Sequence, residues 1–341
     1  MVFSLFFSLS NWMSLMLVFF GIIWSLVSVS VFGVWIGMEI SFIGVIGLLG
    51  GSSYEESESL VKYFIVQVLG SSLIMMSIML MYGGSFLYLI EFGFVLGLFL
   101  KLGLFPFHFW VASVASGMSW MSCFLVLVVQ KVIPVWIVSN LCFSKWGMSF
   151  LELSAVLTCL VGCVGGLMML HFRVLLGYSS LVHMSFMVVL GIFEMSSFLI
   201  YFLVYFFINL SLMVSLWVVS IYSFFDVLKS KMVSSLGWLS LYLMSLSGVP
   251  PFLGSFLKVF FLLKCWSKFS LLCVALLFSS AVSMFFYLSF FMSMYFSFGK
   301  SCWVKEGSGG FEFSLNYLLF MVSVFVNVAF GLGIFSLSGL F

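Results

Sequence analysis

Apolar runs of about twenty residues succeed one another along almost the whole chain, separated only by short polar stretches, and this leaves few folds open. In water such a chain has almost nothing polar with which to cover its surface. In a bilayer, about 20 apolar residues cross the hydrocarbon as one helix. Every backbone amide must then find its partner inside the element, so only helices and closed barrels can span. A barrel needs alternating segments of about ten residues. The runs here are continuous, so the chain is expected to be all-α, a polytopic transmembrane helix bundle. Composition agrees: 65% of the 341 residues are hydrophobic and 6% charged. Mean hydropathy is +1.35, whereas soluble domains are about a quarter charged.

Eleven spans are expected, at 8–28, 29–50, 60–82, 85–104, 117–141, 149–170, 174–194, 196–224, 235–263, 270–297 and 314–338. Between them lie an acidic loop from Gly51 to Glu58, a basic one from Asp226 to Lys231, and a Gly/Ser-rich one from Gly299 to Phe311. None is long enough to separate domains, so residues 1–341 are read as a single transmembrane domain. Lys62, Arg173, Lys229, Lys231, Lys300 and Lys305 fall on one side of the membrane, against Lys145, Lys264 and Lys268 on the other. The positive-inside bias then puts the N-terminus in the positive-inside compartment. The first basic residue is Lys62, so the start lacks the charged region of a cleaved leader and reads as a span. A single threonine, Thr158, beside 46 Phe and 23 Met indicates nucleotide bias of the kind found in organelle genomes.

Within this apolar frame four charges sit deep in their runs: Glu39, Lys101, Lys131 and Lys258. A charge at the bilayer centre costs at least ~2.5–3.5 kcal/mol. Four of them point to an internal ionisable path rather than to passive anchoring, with Glu39 expected to pair with Lys101 or Lys131. Pro106 interrupts the run after Lys101, and Pro250 and Pro251 interrupt the run before Lys258. Proline removes an amide donor and clashes with the preceding turn, so each helix should break there. Two broken helices, each with a lysine nearby, match ion-transport folds built from inverted repeats. Lys131 reads as mid-helix, with about ten residues on either side. Gln130, Ser71, Ser72 and Tyr178 are the polar side chains expected to hold water. His108, after the Pro106 break, and His183, mid-span, are candidate proton relays, since imidazole titrates near neutrality; interhelical hydrogen bonding is the blander use of each. Lys62, Glu91, His171 and Arg173 lie near span ends and are read as interfacial anchors.

Other chemistries find no footing. There is no phosphate-binding glycine loop, no H-E-x-x-H, and no cysteine cluster for iron–sulfur. The seven cysteines are scattered and read as small apolar side chains, with no metal site expected. No basic run is present, so nucleic acid is not an expected partner.

Six stretches, read together, resemble the antiporter-like membrane subunits of respiratory complex I, in particular the chain 2 family of mitochondrial NADH–ubiquinone oxidoreductase. They are W-I-G-M-E-I-S at 35–41, K-Y-F-I-V-Q at 62–67, K-L-G-L-F-P-F-H-F-W-V at 101–111, Q-K-V-I-P at 130–134, L-L-G-Y-S-S-L-V-H-M-S-F at 175–186 and L-S-G-V-P-P-F-L-G-S-F-L-K at 246–258. The third and sixth are the specific ones. The resemblance implies that Glu39 is the family's buried glutamate, Lys101 its partner on the first broken helix, Lys131 the central lysine and Lys258 the lysine of the second broken helix. It also implies the shortened eleven-helix form, a place in the mitochondrial inner membrane with the N-terminus on the matrix side, and other membrane-arm subunits as partners. Membrane lipids, cardiolipin among them, are expected neighbours. No cofactor is implied for this chain; NADH, FMN, iron–sulfur clusters and ubiquinone belong to other subunits. The sequence departs from the family where Val111 is followed by Ala112 and Ser113 in place of a proline and an acid, at Val174 after Arg173, and at Ser41, where asparagine is common. A free-standing cation/proton antiporter is the rival reading, and the buried charges alone separate the two poorly.

Overall fold

The computed structural model describes residues 9–301, apart from 52, 85–86, 142, 225, 227–232 and 251, together with Asn327. Among these the secondary structure is helical, with one isolated bridge between His171 and Ser223. In chain order the helices are α1 (Leu9–Val27), α2 (Val31–Leu49), α3 (Tyr54–Tyr82), α4 (Leu87–Leu102), α5 (Phe109–Gly117) and α6 (Trp120–Leu127). After a short 3₁₀ turn (Val129–Lys131) come α7 (Val132–Asn140), α8 (Lys145–Leu167), α9 (Phe172–Phe193) and α10 (Met195–Val219). The described chain closes with α11 (Val233–Ser247), α12 (Leu253–Cys265) and α13 (Ser270–Ser301).

Eight of these stretches are long and apolar enough to cross a membrane. The expected span 85–104 is met by α4 alone, with its second half-helix α5 lying beyond it, and the expected span 235–263 is met by the pair α11 and α12. The expected span 314–338 lies outside the described residues, Asn327 excepted, as does most of the Gly/Ser loop. The acidic loop is shorter than expected: Tyr54 onward is already α3. Ser53 caps it, its hydroxyl accepting from Glu56 N at 3.2 Å, and Glu55 and Glu56 in the first turn complement the helix dipole.

Burial shows what sits at the centre. In α9, 89% of the apolar window is buried, and in Trp120–Asn140 83%, whereas α1 buries 22%. α9 and the α6–α7 stretch therefore form the axis around which the rest is wrapped. The ends are tied by the few surface charges. At one end Arg173 donates to the Met118 carbonyl and lies over the Tyr222 ring at 5.0 Å. At the other, Lys264 pairs with Glu194 at 3.5 Å and Lys268 covers Phe193. Lys62, Glu55, Glu58, His171 and Arg173 line one surface pocket, so Lys62 and Arg173, two of the basic residues read as sharing one face, do share it, while Lys229, Lys231 and Lys305 lie outside the described residues.

One expectation is corrected. The stretch around Lys131 is not a continuous helix. α6 ends at Leu127, Val128 takes φ −118° and ψ −62°, and the 3₁₀ turn that follows is closed by Lys131 N donating to the Val128 carbonyl at 3.3 Å. Pro134 accounts for this, because it has no N–H for the carbonyl of Gln130 and its ring crowds that carbonyl.

Candidate functional site

Each of the three lysines, Lys101 and Lys131 buried and Lys258 partly so, lies at or near a helix interruption, and each finds a different partner. Lys101 occupies the last turn of α4. Gly103 then turns the chain at φ +73°, a conformation that strains any side chain with a Cβ, and its N–H and that of Leu104 both return to the Phe99 carbonyl. Trp110 of α5 reaches back with Nε1 to cap the Leu100 carbonyl at 3.1 Å. The break is thus satisfied internally, as backbone at membrane depth must be. From this frame Lys101 Nζ donates to Glu39 Oε1 on α2 at 3.0 Å. The lysine side chain is 4% exposed and the glutamate 22%. Of the two partners open to Glu39 in the sequence, the fold brings it to Lys101.

Lys131, buried at 3% exposure, turns toward α9. Its ammonium donates to Ser180 Oγ at 2.9 Å and approaches the Ser180 carbonyl at 3.4 Å. The Ser180 hydroxyl gives its own proton to the Gly177 carbonyl, so it serves Lys131 as acceptor. One turn along α9, on the same face, His183 Nδ1 shares a hydrogen bond of 2.9 Å with the Tyr201 hydroxyl, and its ring packs 4.8 Å from that of Tyr205. Both Lys131 and Lys258 lie within electrostatic reach of His183.

Lys258 lies on α12, after its break. Its ammonium reaches back to the carbonyl of Ser247, the last residue of α11, at 2.7 Å. Gly248 makes the turn at φ +76°, and a Cβ there would stand 2.8 Å from Lys258 Cε, so this position needs glycine both for its backbone and for the lysine's passage. Lys258 is only partly buried.

His108 stands apart. Its ring stacks on Phe105 at 6.0 Å and packs on Phe109 at 4.0 Å, and its buried Nδ1 has no hydrogen-bond partner. It does not line the small cavity beside Lys101. That cavity, about 10 Å³, has room for about one water. Its polar lining comes from Tyr63, Gln67, Lys101 and Gln130, with Trp110 and Pro134. Of the four polar side chains expected to hold water, only Gln130 is there; Ser71 and Ser72 spend their hydroxyls on carbonyls of their own helix.

Two sets of contacts escaped the sequence reading. Gln130 Nε2 donates to the Ser41 carbonyl at 2.9 Å and its Oε1 accepts from Ser41 Oγ at 3.2 Å, tying the 3₁₀ turn to α2. On the far side of α9, Cys163 Sγ donates to the Ser279 carbonyl at 2.7 Å and Ser279 Oγ to Cys159 Sγ at 2.8 Å, with Lys258 in electrostatic reach of both thiols. The i, i+4 spacing of Cys159 and Cys163 shows a shared face, but only packing supplies the serine.

Comparison with known proteins fits this geometry. Residues 28–285 match the family model described as NADH:quinone oxidoreductase/Mrp antiporter, transmembrane. The chain belongs to this family. Curated relatives named NADH-ubiquinone oxidoreductase chain 2 include that of Mytilus edulis, 34% identical over 82% of this chain and 85% of the relative. That of Anopheles gambiae is 27% identical over 92% and 94%. Among solved structures, a chain of respiratory complex I from Thermus thermophilus with bound aureothin superposes with a TM-score of 0.79 at 19% identity, covering 95% of this chain and 78% of its own. A chain of the Mrp complex from Dietzia gives 0.65 at 14% identity, covering 83% and 59%. These two likenesses concern the fold. Within the NADH:quinone oxidoreductase/Mrp antiporter family, the interrupted helices are the parts of this chain on which its buried lysines hang.

Proposed function

We propose that this chain, a core membrane subunit of proton-pumping NADH:quinone oxidoreductase, moves protons along a row formed by Glu39, Lys101, Lys131 and Lys258, with His183 as a relay between the last two. The observation that carries the reading is the placement of each lysine at or near a helix interruption, with a polar partner within 3.0 Å in every case. Lysine can release and regain a proton when its surroundings change, and each step is the making or breaking of a neighbouring charge or hydrogen bond. Separation of Glu39 from Lys101 frees the Lys101 proton. Lys131 receives it, and the hydrogen-bonded chain Lys131–Ser180, with His183–Tyr201 one turn on, leads toward Lys258, which exchanges with the other face. His108, enclosed by two phenylalanine rings, has no evident place in this sequence of steps and is assigned none.

Electron transfer takes place elsewhere in this reading: NADH, FMN, iron–sulfur clusters and ubiquinone sit on other subunits, and this chain's part is translocation. Its partners are the other subunits of the membrane arm, and the protein is a multi-pass mitochondrial membrane protein. The proposal extends to the inner membrane, an N-terminus on the matrix side, and cardiolipin among its lipids. Lys131→Met in the assembled complex tests the row: coupled NADH oxidation and the protons moved per NADH should both fall. A normal proton count in that variant sinks the proposal. Co-purification with the other subunits separates the reading from a free-standing antiporter.

A further inference from the structure

Lys101 and Lys131 are neighbours in the proposed row, and the structure holds them apart. The cavity beside Lys101 is lined by Tyr63, Gln67 and Gln130 but not by Lys131, whose ammonium is turned to Ser180 on α9. Gln130 is the side chain that adjoins both: it lines the cavity with Lys101 and is the chain neighbour of Lys131. It precedes Lys131 on the 3₁₀ turn, where successive residues point about 120° apart. Gln130 thus faces the cavity while Lys131 faces away from it. Its amide is fastened at both ends to one residue of α2, donating to the Ser41 carbonyl at 2.9 Å and accepting at 3.2 Å from the Ser41 hydroxyl, whose one proton is shared with the Met38 carbonyl at 2.8 Å. Ser41 lies two residues from Glu39, so one helix carries both the counter-charge of Lys101 and the latch on Gln130. Below the amide, Pro134 lines the same cavity and offers no N–H to the Gln130 carbonyl, so a full helical ladder does not lock this backbone.

We infer that Gln130 is a gate between Lys101 and Lys131, shut while its amide is latched to Ser41 and open when it swings free. The inference rests on the reading of the row as a proton path. With the gate open, the cavity extends to Lys131. Once Lys131 has passed its own proton on toward Lys258, a proton leaves the Lys101 ammonium for a water, and that water gives another proton to the Lys131 amine. The amide donates and accepts hydrogen bonds throughout and gains no net proton. An amide suits the task because it can hold water without placing a further charge in a low dielectric. Because latch and counter-charge share α2, a movement that parts Glu39 from Lys101 also draws on the latch. This ties release of the proton to the opening of its way forward.

The test uses the assembled complex in sealed vesicles with Gln130→Leu, Ser41→Ala and, as a control, Lys131→Met. Coupled NADH oxidation and protons moved per NADH are measured, with NADH oxidation by an artificial acceptor reporting assembly. Gln130→Leu plugs the gate with an apolar side chain and should lower coupled turnover by about a hundredfold, the scale of a lost positioned proton-transfer group. Ser41→Ala removes one of the two latch bonds and should keep turnover while lowering protons per NADH, a slip that a mere packing role would not produce. Normal coupled turnover in Gln130→Leu, or normal protons per NADH in Ser41→Ala, overturns the gate, and if Gln130→Leu does not assemble, Ser41→Ala alone decides. Should Lys131→Met also pump normally, the row itself fails; if it alone is impaired, the gate fails and the row stands.

Discussion

The two broken helices set the same kind of charge in two different ways. In the first, Lys101 precedes the break and is part of the last turn of α4; in the second, Lys258 follows the break and reaches back to the end of α11. Both positive charges therefore lie against the C-terminal end of a half-helix, where unsatisfied carbonyls carry partial negative charge. Both turns are made by a glycine with positive φ, Gly103 and Gly248. The partners differ. Lys101 answers to a carboxylate on another helix, Glu39 on α2, whereas Lys258 donates to a carbonyl of its own broken helix. The first site can thus be switched by moving α2, and the second by a change in the break itself.

That contrast can be broken most forcefully at Glu39. Glu39→Gln leaves Lys101 buried without its counter-charge, which should cost about 3–5 kcal/mol, against about 1.5–3 for the charged hydrogen bond lost in Lys258→Met. Thermal unfolding of the purified complex would read the order, and adding Lys101→Met to Glu39→Gln should recover part of the loss. Equal losses from Glu39→Gln and Lys258→Met would remove the distinction between the two sites. The glycines sharpen it at the next scale. Gly103→Ala and Gly248→Ala should each cost about 1–3 kcal/mol through backbone strain. The new methyl meets Val111 in the first case and Lys258 itself in the second. Only Gly248→Ala should lower proton translocation beyond its effect on stability. The smallest effect is expected from Trp110→Phe, which removes the cap on Leu100 and should cost about 0.5–1.5 kcal/mol with the ion pair intact.

Much of this was legible along the chain. The prolines at 106, 250 and 251 announce their breaks, and the four charges stand out because each lies deep within an apolar run. Pro134 carried the same signal for the interruption at Lys131, but the run around it is so uniformly apolar that a continuous helix looked sufficient. Tyr178 and Ser72 looked as suitable as Gln130 for holding water, since a residue letter does not say which way its side chain turns. The pairing of Cys159 with Ser279 left no mark in the sequence at all.

Depth in the membrane is a matter of counting residues from the ends of an apolar run. The chain by itself therefore determined the bundle, the place of its breaks and which charges are stranded in its middle. Which of them touch was decided by packing. Glu39 meets Lys101 from 62 positions away, Lys131 meets Ser180 from 49, and Gln130 meets Ser41 from 89. A helix that is apolar all round has no polar stripe to fix its rotation against its neighbours. Only the fit of one helix surface into the next sets the faces on which these groups meet.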